Sequence, residues 1–232
     1  ASGEYARAER VLEEALGIVR SLPEHQRSLL PEAYRRLANL ASAQEEYEAQ
    51  VEWHARQVEW YEELFGPEHP QLVLPLRQLA TAHRLAALSG APDSKHRQEE
   101  IWIRRRLVSL QARAEGEASP AHVEALRELE AALVWGRRSD EALEIRRRSL
   151  ELELGTLDPD GAEAQMQRVS LAALLVMQGR YDDALPLVDE AIARRQESGA
   201  SSQWEGDLLA VLRYMTLMGT GRYAEAEEGL LS

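Results

Sequence analysis

Arginine is the residue whose type and spacing in this chain point most directly to a task. Arg35, Arg77 and Arg127 stand 42 and then 50 residues apart, and Arg84 follows Arg77 by two helical turns. A guanidinium presents a planar fork of donors that grips a carboxylate with two parallel bonds, so a row of them suits an acidic segment. The other chemistry-bearing residues form no comparable pattern. Cysteine is absent, which removes disulfides, thiolate catalysis and zinc–thiolate sites. His25, His54, His69, His83, His96 and His122 include no pair at helical metal-ligand spacing, so no metal site is expected. For His83 a hydrogen-bonded place in the core is the expected one. Carboxylates are too frequent for any pair to mark an acid–base couple. No nucleophile elbow, phosphate loop or dinucleotide fingerprint occurs. Neither an enzyme nor a cofactor is expected.

The elements that must carry the arginines follow from composition. Leu, Ala, Glu and Arg dominate, 44% of residues are hydrophobic and only 6% aromatic. Unbranched side chains lose little rotamer freedom in a helix, which predicts an all-α protein. The formal net charge of −13 repels phosphate backbones and anionic lipid, so neither nucleic acid nor membrane is an expected partner. A local basic patch inside an acidic whole stays open. No apolar run approaches the roughly 20 residues of a membrane span. With cysteine absent, a cytoplasmic location is the expectation.

The chain repeats. Gly3-Glu4-Tyr5-Ala6-Arg7-Ala8, Gly179-Arg180-Tyr181-Asp182-Asp183-Ala184 and Gly221-Arg222-Tyr223-Ala224-Glu225-Ala226 share G-x-Y-x-x-A. With Tyr47 and Ser139 the marker positions run 5, 47, 97, 139, 181 and 223. The steps are 42 except for one of 50, which places eight extra residues near 87–95, around Ser89-Gly90-Ala91-Pro92. Leu37-Ala38, Leu79-Ala80, Leu129-Glu130 and Leu171-Ala172 keep the same register one helix earlier. Gly suits a tight turn, Tyr starts the helix after it, and the small Ala lets two helices approach. This predicts eleven helices. Second-type helices fall near 4–20, 46–65, 94–114, 139–154, 181–197 and 223–231. First-type helices fall near 27–43, 69–88, 119–135, 160–178 and 203–219. Two departures stand out in the third second-type helix: Arg97 where Tyr is expected and Glu100 where Ala is expected. In the last first-type helix Arg213-Tyr214 replaces Leu-Ala, which leaves its register open by one residue.

At the glycine–tyrosine turn and the Leu-Ala pair the chain resembles the tetratricopeptide repeat family. The period of 42 in place of about 34 is similar to the long variety of kinesin light chains and many bacterial signalling proteins. Gly66-Pro67-Glu68-His69-Pro70 resembles the inter-repeat turn of that variety. The resemblance implies a right-handed α-solenoid of antiparallel helix pairs, with residues 1–232 as one array of about five repeats. The array is expected to be incomplete at both ends and part of a larger protein. It further implies that first-type helices line a concave groove holding a peptide or partner helix. Groove positions are then Arg35, Asn39 and Ser42; Arg77, Thr81 and Arg84; Arg127, Ala131 and Val134; and Met166, Val169, Ala173 and Val176. Arg35 and Asn39 fall where related domains clamp a peptide carboxylate.

The expected function is a scaffold or sensor module whose site residues are Arg35, Asn39, Arg77, Thr81, Arg84 and Arg127. Its expected partner is a protein or peptide with an acidic or C-terminal carboxylate segment. The arginines have a second use, pairing with Glu32, Glu128 or Glu130 on a solvated face. The alternative function is a structural, self-associating array or a regulatory part of a signalling protein. Trp53, Trp60 and Trp102 are expected to pack between repeats, and Arg104–Arg106 and Arg146–Arg148 to lie on solvated faces.

Overall fold

The computed structural model describes residues 2–22, 28–90, 94–159, 161–198 and 203–230. The breakers Pro23, Asp160 and Gly199-Ala200, the insertion's Ala91-Pro92-Asp93, His25, and the Tyr5 side chain lie outside what it describes. Among the described residues the chain forms eleven α-helices and no strand. They are α1 (Ser2–Ser21), α2 (Leu30–Ala43), α3 (Tyr47–Phe65), α4 (Val73–Ser89), α5 (Ser94–Glu115) and α6 (Pro120–Trp135). There follow α7 (Ser139–Thr156), α8 (Ala162–Met177), α9 (Tyr181–Ser198), α10 (Gln203–Gly219) and α11 (Tyr223–Leu230). The chain divides into two compact units, Ala1–Ser139 and Asp140–Ser232.

The repeat period is written in the turns. The N–H of Glu46 donates to the carbonyl of Ala41, Arg138 to Leu133, Arg180 to Leu175 and Arg222 to Leu217, all at 2.8–2.9 Å. Each bond closes a helix around one residue in the left-handed region, the Schellman arrangement that satisfies orphan carbonyls at a helix end. The left-handed residues are Glu45 (φ 63°), Arg137 (φ 58°), Gly179 (φ 71°) and Gly221 (φ 77°). Only two are glycine, so the turn is set by helix ends and their hydrogen bonds more than by the residue that fills it. The next helix starts at the marker position each time: Tyr47, Ser139, Tyr181 and Tyr223. The Gly221 turn keeps the 42-residue step, so the last repeat is in register after all. Its unusual Arg213 reaches out to Asp189 at 3.0 Å, while Leu209, Leu212 and Leu217 fill the core.

Two helix starts differ from the sequence expectation. α2 opens at Leu30, not 27, with Pro31 in its first turn. α4 opens at Val73, after a 3-10 turn over Pro70–Leu72 capped by the His69 ring, which accepts from the Gln71 N–H at 3.2 Å. Pro70 and Pro75 bring no N–H, and both fall in a first turn, where no helical acceptor waits.

Packing is between chain neighbours. In the first unit, Leu16, Val19, Leu30, Tyr34 and Leu37 bury themselves with Trp53 and Trp60 against them. A second layer joins Val58, Leu72, Leu76, Leu79, Ile103, Leu107 and Leu110 from α3, α4 and α5. In the second unit Leu150, Leu171, Leu174, Leu175, Val188, Leu209 and Leu212 form one layer. Each fully buried Leu contributes about 1.5–3 kcal/mol, and no helix pair could bury its apolar face alone. The small residue three positions into the second-type helix is at the bottom of these layers: Ala142, Ala184 and Ala226 are buried in the second unit. The first unit has Gln50 and Glu100 there instead, and both are buried too.

Candidate functional site

All six candidate residues sit on the first-type helices α2, α4 and α6. Positions 35, 77 and 127 are equivalent in the repeat, yet their surroundings differ. Arg35 forms a two-pronged pair with Glu32 of its own helix, at 2.7 and 3.0 Å, and Arg36 shares that carboxylate at 2.7 Å. Hydrogen bonds from Arg35 and then Arg36 hold the Glu32 carboxyl below its ordinary pKa. Arg35 also borders a cavity of about 310 Å³ with Trp60, Tyr61, Phe65 and Leu74. Asn39 is exposed, as is Thr81, whose hydroxyl donates to the Arg77 carbonyl one turn back at 2.9 Å. Arg127 is exposed and lies 3.8 Å from Glu124.

Arg77 and Arg84 belong to something larger. Glu100 of α5 is fully buried, and Arg84 Nε lies 2.8 Å from its Oε1. Arg104, also buried, places Nε 3.9 Å from Glu100 and Nη1 2.6 Å from Glu128 of α6. Arg77 Nη1 is 3.4 Å from the other oxygen of Glu128. One ionic chain thus runs Arg84–Glu100–Arg104–Glu128–Arg77 through α4, α5 and α6, three guanidiniums on two carboxylates. Burial raises the Glu100 pKa, against the pull of Arg84 and then Arg104. Burial also lowers that of Arg104, against Glu128 and then Glu100. Charges taken this far from water persist only when paired. The inner carboxylates anchor Arg77 and Arg84, whose side chains are left 36% and 35% exposed.

The sequence pointed at this chain without resolving it. Glu100 stands out as a charge in an alanine position, and Glu128 as a partner for groove arginines. What spacing could not show is that Arg104, the first of an arginine run, turns inward. Arg106 of the same run reaches Glu62 and the Pro67 carbonyl, and Arg147 lies between Glu144 and Glu151. The tryptophans separate as well. Trp53 stacks on Tyr34 at 6.2 Å, Trp60 meets Tyr61 edge-on at 5.2 Å, and Trp102 is exposed under Arg106. Val176, read as a groove residue, is buried in the second unit's core.

A second polar cluster joins α3, α4 and α5. His83 and His96, both buried, meet Nδ1 to Nδ1 at 2.9 Å, and His96 Nε2 lies 2.8 Å from Glu48. One ring nitrogen must donate and the other accept, so the pair holds a single proton between its Nδ1 atoms. Burial, then the neighbouring His96, lowers the His83 pKa to about 4. His83 takes the hydrogen-bonded core position expected of it, and its partner stands just beyond the insertion. No group of three or more metal-ligating side chains suited to an ion occurs among the described residues. None of their helices is long and apolar enough to cross a membrane.

Consecutive helix pairs, most of them closed by a left-handed turn and spaced by 42 residues apart from one step of 50, define an α-helical repeat protein of the solenoid class. The tetratricopeptide repeat profile matches residues 32–71 and 159–198, one stretch in each unit. Over these two stretches the chain is similar to the tetratricopeptide repeat family. No curated protein matches it in sequence. Among solved structures, BtubC (BKLC) from P. vanneervenii is 18% identical and superposes with a TM-score of 0.52 over 87% of this chain and 77% of that one. A putative kinesin light chain of nearly identical TPR-like repeats from Podosopora anserina is also 18% identical, with a TM-score of 0.49 over 86% and 90%. The likeness to BtubC is one of fold. Tetratricopeptide repeats mediate protein–protein interaction in general and are typically scaffolds without catalysis.

Proposed function

We propose that the chain is a protein-interaction scaffold or sensor module whose first unit binds an acidic segment of a peptide or partner protein. The face formed by α2, α4 and α6 takes the segment, with Arg35, Asn39, Arg77, Thr81, Arg84 and Arg127 in contact. The supporting observation is the pair Arg77 and Arg84, tied from behind by Glu128 and Glu100 and open in front. A fork fixed before the ligand arrives loses little entropy on binding. Each of its charge-assisted bonds contributes about 1.5–3 kcal/mol. A free C-terminal carboxylate is the best match to Arg35 and Asn39. Binding of immobilised acidic peptides with free C-termini tests this. Arg35→Gln and Arg77→Gln each weaken retention about tenfold or more, which corresponds to a single such bond, while the helical circular dichroism stays unchanged. Retention that survives both substitutions overturns the assignment.

A second reading, self-association, has its own observation. Met166, Met177, Val211, Met215 and Met218 are exposed on α8 and α10 of the second unit, and adaptable methionines favour contact surfaces. A monomer by light scattering at high concentration dismisses it.

A further inference from the structure

We propose that a cavity at the C-terminal ends of α4 and α6 in the first unit binds a phosphomonoester carried on a side chain of the partner segment. The inference rests on the reading that this unit is the ligand-binding one, and it names a chemistry that reading leaves open. The cavity has a volume of about 590 Å³ and is lined by Arg84, Arg97 and Arg137 together with Leu88, Val134 and Trp135. The three arginines come from three separate places: α4, the start of α5, and the left-handed turn after α6. Among the described residues that line it there is no carboxylate. A chain of net charge −13 thus keeps a local cationic hollow.

The three cations are not equivalent. Arg84 is steadied by Glu100 at 2.8 Å. Arg97 lies over the Trp135 ring at 5.4 Å, and its Nε is buried with no hydrogen-bond partner. Arg137 is exposed, and its left-handed backbone (φ 58°) sets the direction in which its side chain leaves the turn. A single carboxylate has two oxygens and one charge, too few acceptors for three forks. A phosphomonoester brings three acceptor oxygens and close to two charges, which three guanidiniums match. Exposed Leu88 and Val134 give apolar footing to the residues beside the phosphorylated one. A further cavity of about 690 Å³ shares Arg97 and is lined also by Arg105, Arg138 and Glu99. Both departures from the repeat pattern contribute. Arg97 replaces the marker tyrosine, and Glu100 replaces the alanine so as to hold Arg84.

The test uses three immobilised degenerate peptide libraries with free C-termini, identical except for a central phosphoserine, glutamate or serine. Retention of the 232-residue chain is compared with that of Arg137→Gln and of Arg97→Gln/Arg137→Gln. The expected result is at least tenfold greater retention on phosphoserine than on serine or glutamate, with the preference lost in both variants. Arg137 lies on an exposed turn, so its single substitution keeps the test valid if the double variant misfolds. Equal retention on phosphoserine and glutamate, unaffected by either variant but reduced by Arg35→Gln, overturns the phosphate pocket and leaves the acidic-segment reading standing. Retention on none of the three overturns both.

Discussion

The two units use one repeat register to opposite ends. At the position of Arg35, Arg77 and Arg127, the second unit carries Val169 and Val211. At the position of Glu100 it carries Ala142, Ala184 and Ala226, all buried. The second unit therefore closes its helix pairs on small apolar residues and leaves methionines on α8 and α10 exposed. The first unit places charge in the same slots and must neutralise it from within. Its turns after α2 and α6 are Schellman turns like those of the second unit, whereas α4 ends at Gly90 in extended backbone. The change in side-chain chemistry is concentrated on α4, α5 and α6, beside the eight-residue insertion that separates α4 from α5. Such departures from local rules are where function is to be sought.

The comparison is most strongly challenged by exchanging its defining residue. Glu100→Ala restores the repeat pattern yet is expected to destabilise the first unit by about 3–5 kcal/mol, because Arg84 and Arg104 lose their carboxylate. Adding Arg104→Leu is expected to recover most of that loss, since an apolar replacement of a buried pair is often neutral. Urea unfolding of the three chains gives both numbers, and a Glu100→Ala chain as stable as the parent shows that the ionic chain is ornamental.

A smaller effect belongs to the second unit. A Cβ built on Gly219 would come within 2.2 Å of the Tyr181 ring. Gly219→Ala is expected to cost about 1–3 kcal/mol through displacement of that ring, visible as a lower urea midpoint. The equivalent tyrosine, Tyr223, is exposed, so Tyr223→Ala is expected to leave the midpoint nearly unchanged.

Acid separates the units next. The folded His83 pKa of about 4 lies below the unfolded value of 6.5. The unfolded chain therefore binds this proton first, and stability falls as pH drops from about 6.5 towards 4. Hydrogen exchange at pH 7 and pH 5 is expected to show α3, α4 and α5 loosening. Burial lowers the His54 pKa as well, which adds to the same trend. His83→Leu removes the larger part of this dependence. The smallest effect is at the turns. Glu45 holds a left-handed backbone that costs an L-residue about 1–2 kcal/mol. Glu45→Gly relieves part of this and is expected to raise stability by up to about 1 kcal/mol, whereas Gly179→Ala lowers it.

Much of the fold was legible because its signals are local and recur. Gly, Tyr and Ala at a step of 42 mark a turn, a helix start and a close contact, and the four left-handed turns before Tyr47, Ser139, Tyr181 and Tyr223 could be found from sequence position alone. The start of α2 and the 3-10 turn before α4 were less legible, because proline permits several entries to a helix. The site was half legible. Periodicity picks out Arg77 and Arg84, since both follow from register. Their anchors, Glu100 and Glu128, lie on other helices, and only packing decides which carboxylate each arginine meets. His83 and His96 are 13 residues apart at no helical spacing, and they meet because the chain reverses between α4 and α5. Arg97 and Glu100 were visible as irregularities, but an irregularity states no purpose until its neighbours are known.

The most direct test of the central claim, that the first unit is the binding one, is amide hydrogen exchange with and without a pool of synthetic acidic peptides bearing free C-termini. Added protection is predicted on α2, α4 and α6 around Arg35, Arg77, Arg84 and Arg127, with little change on α8 and α10. Protection confined to α8 and α10 would contradict it.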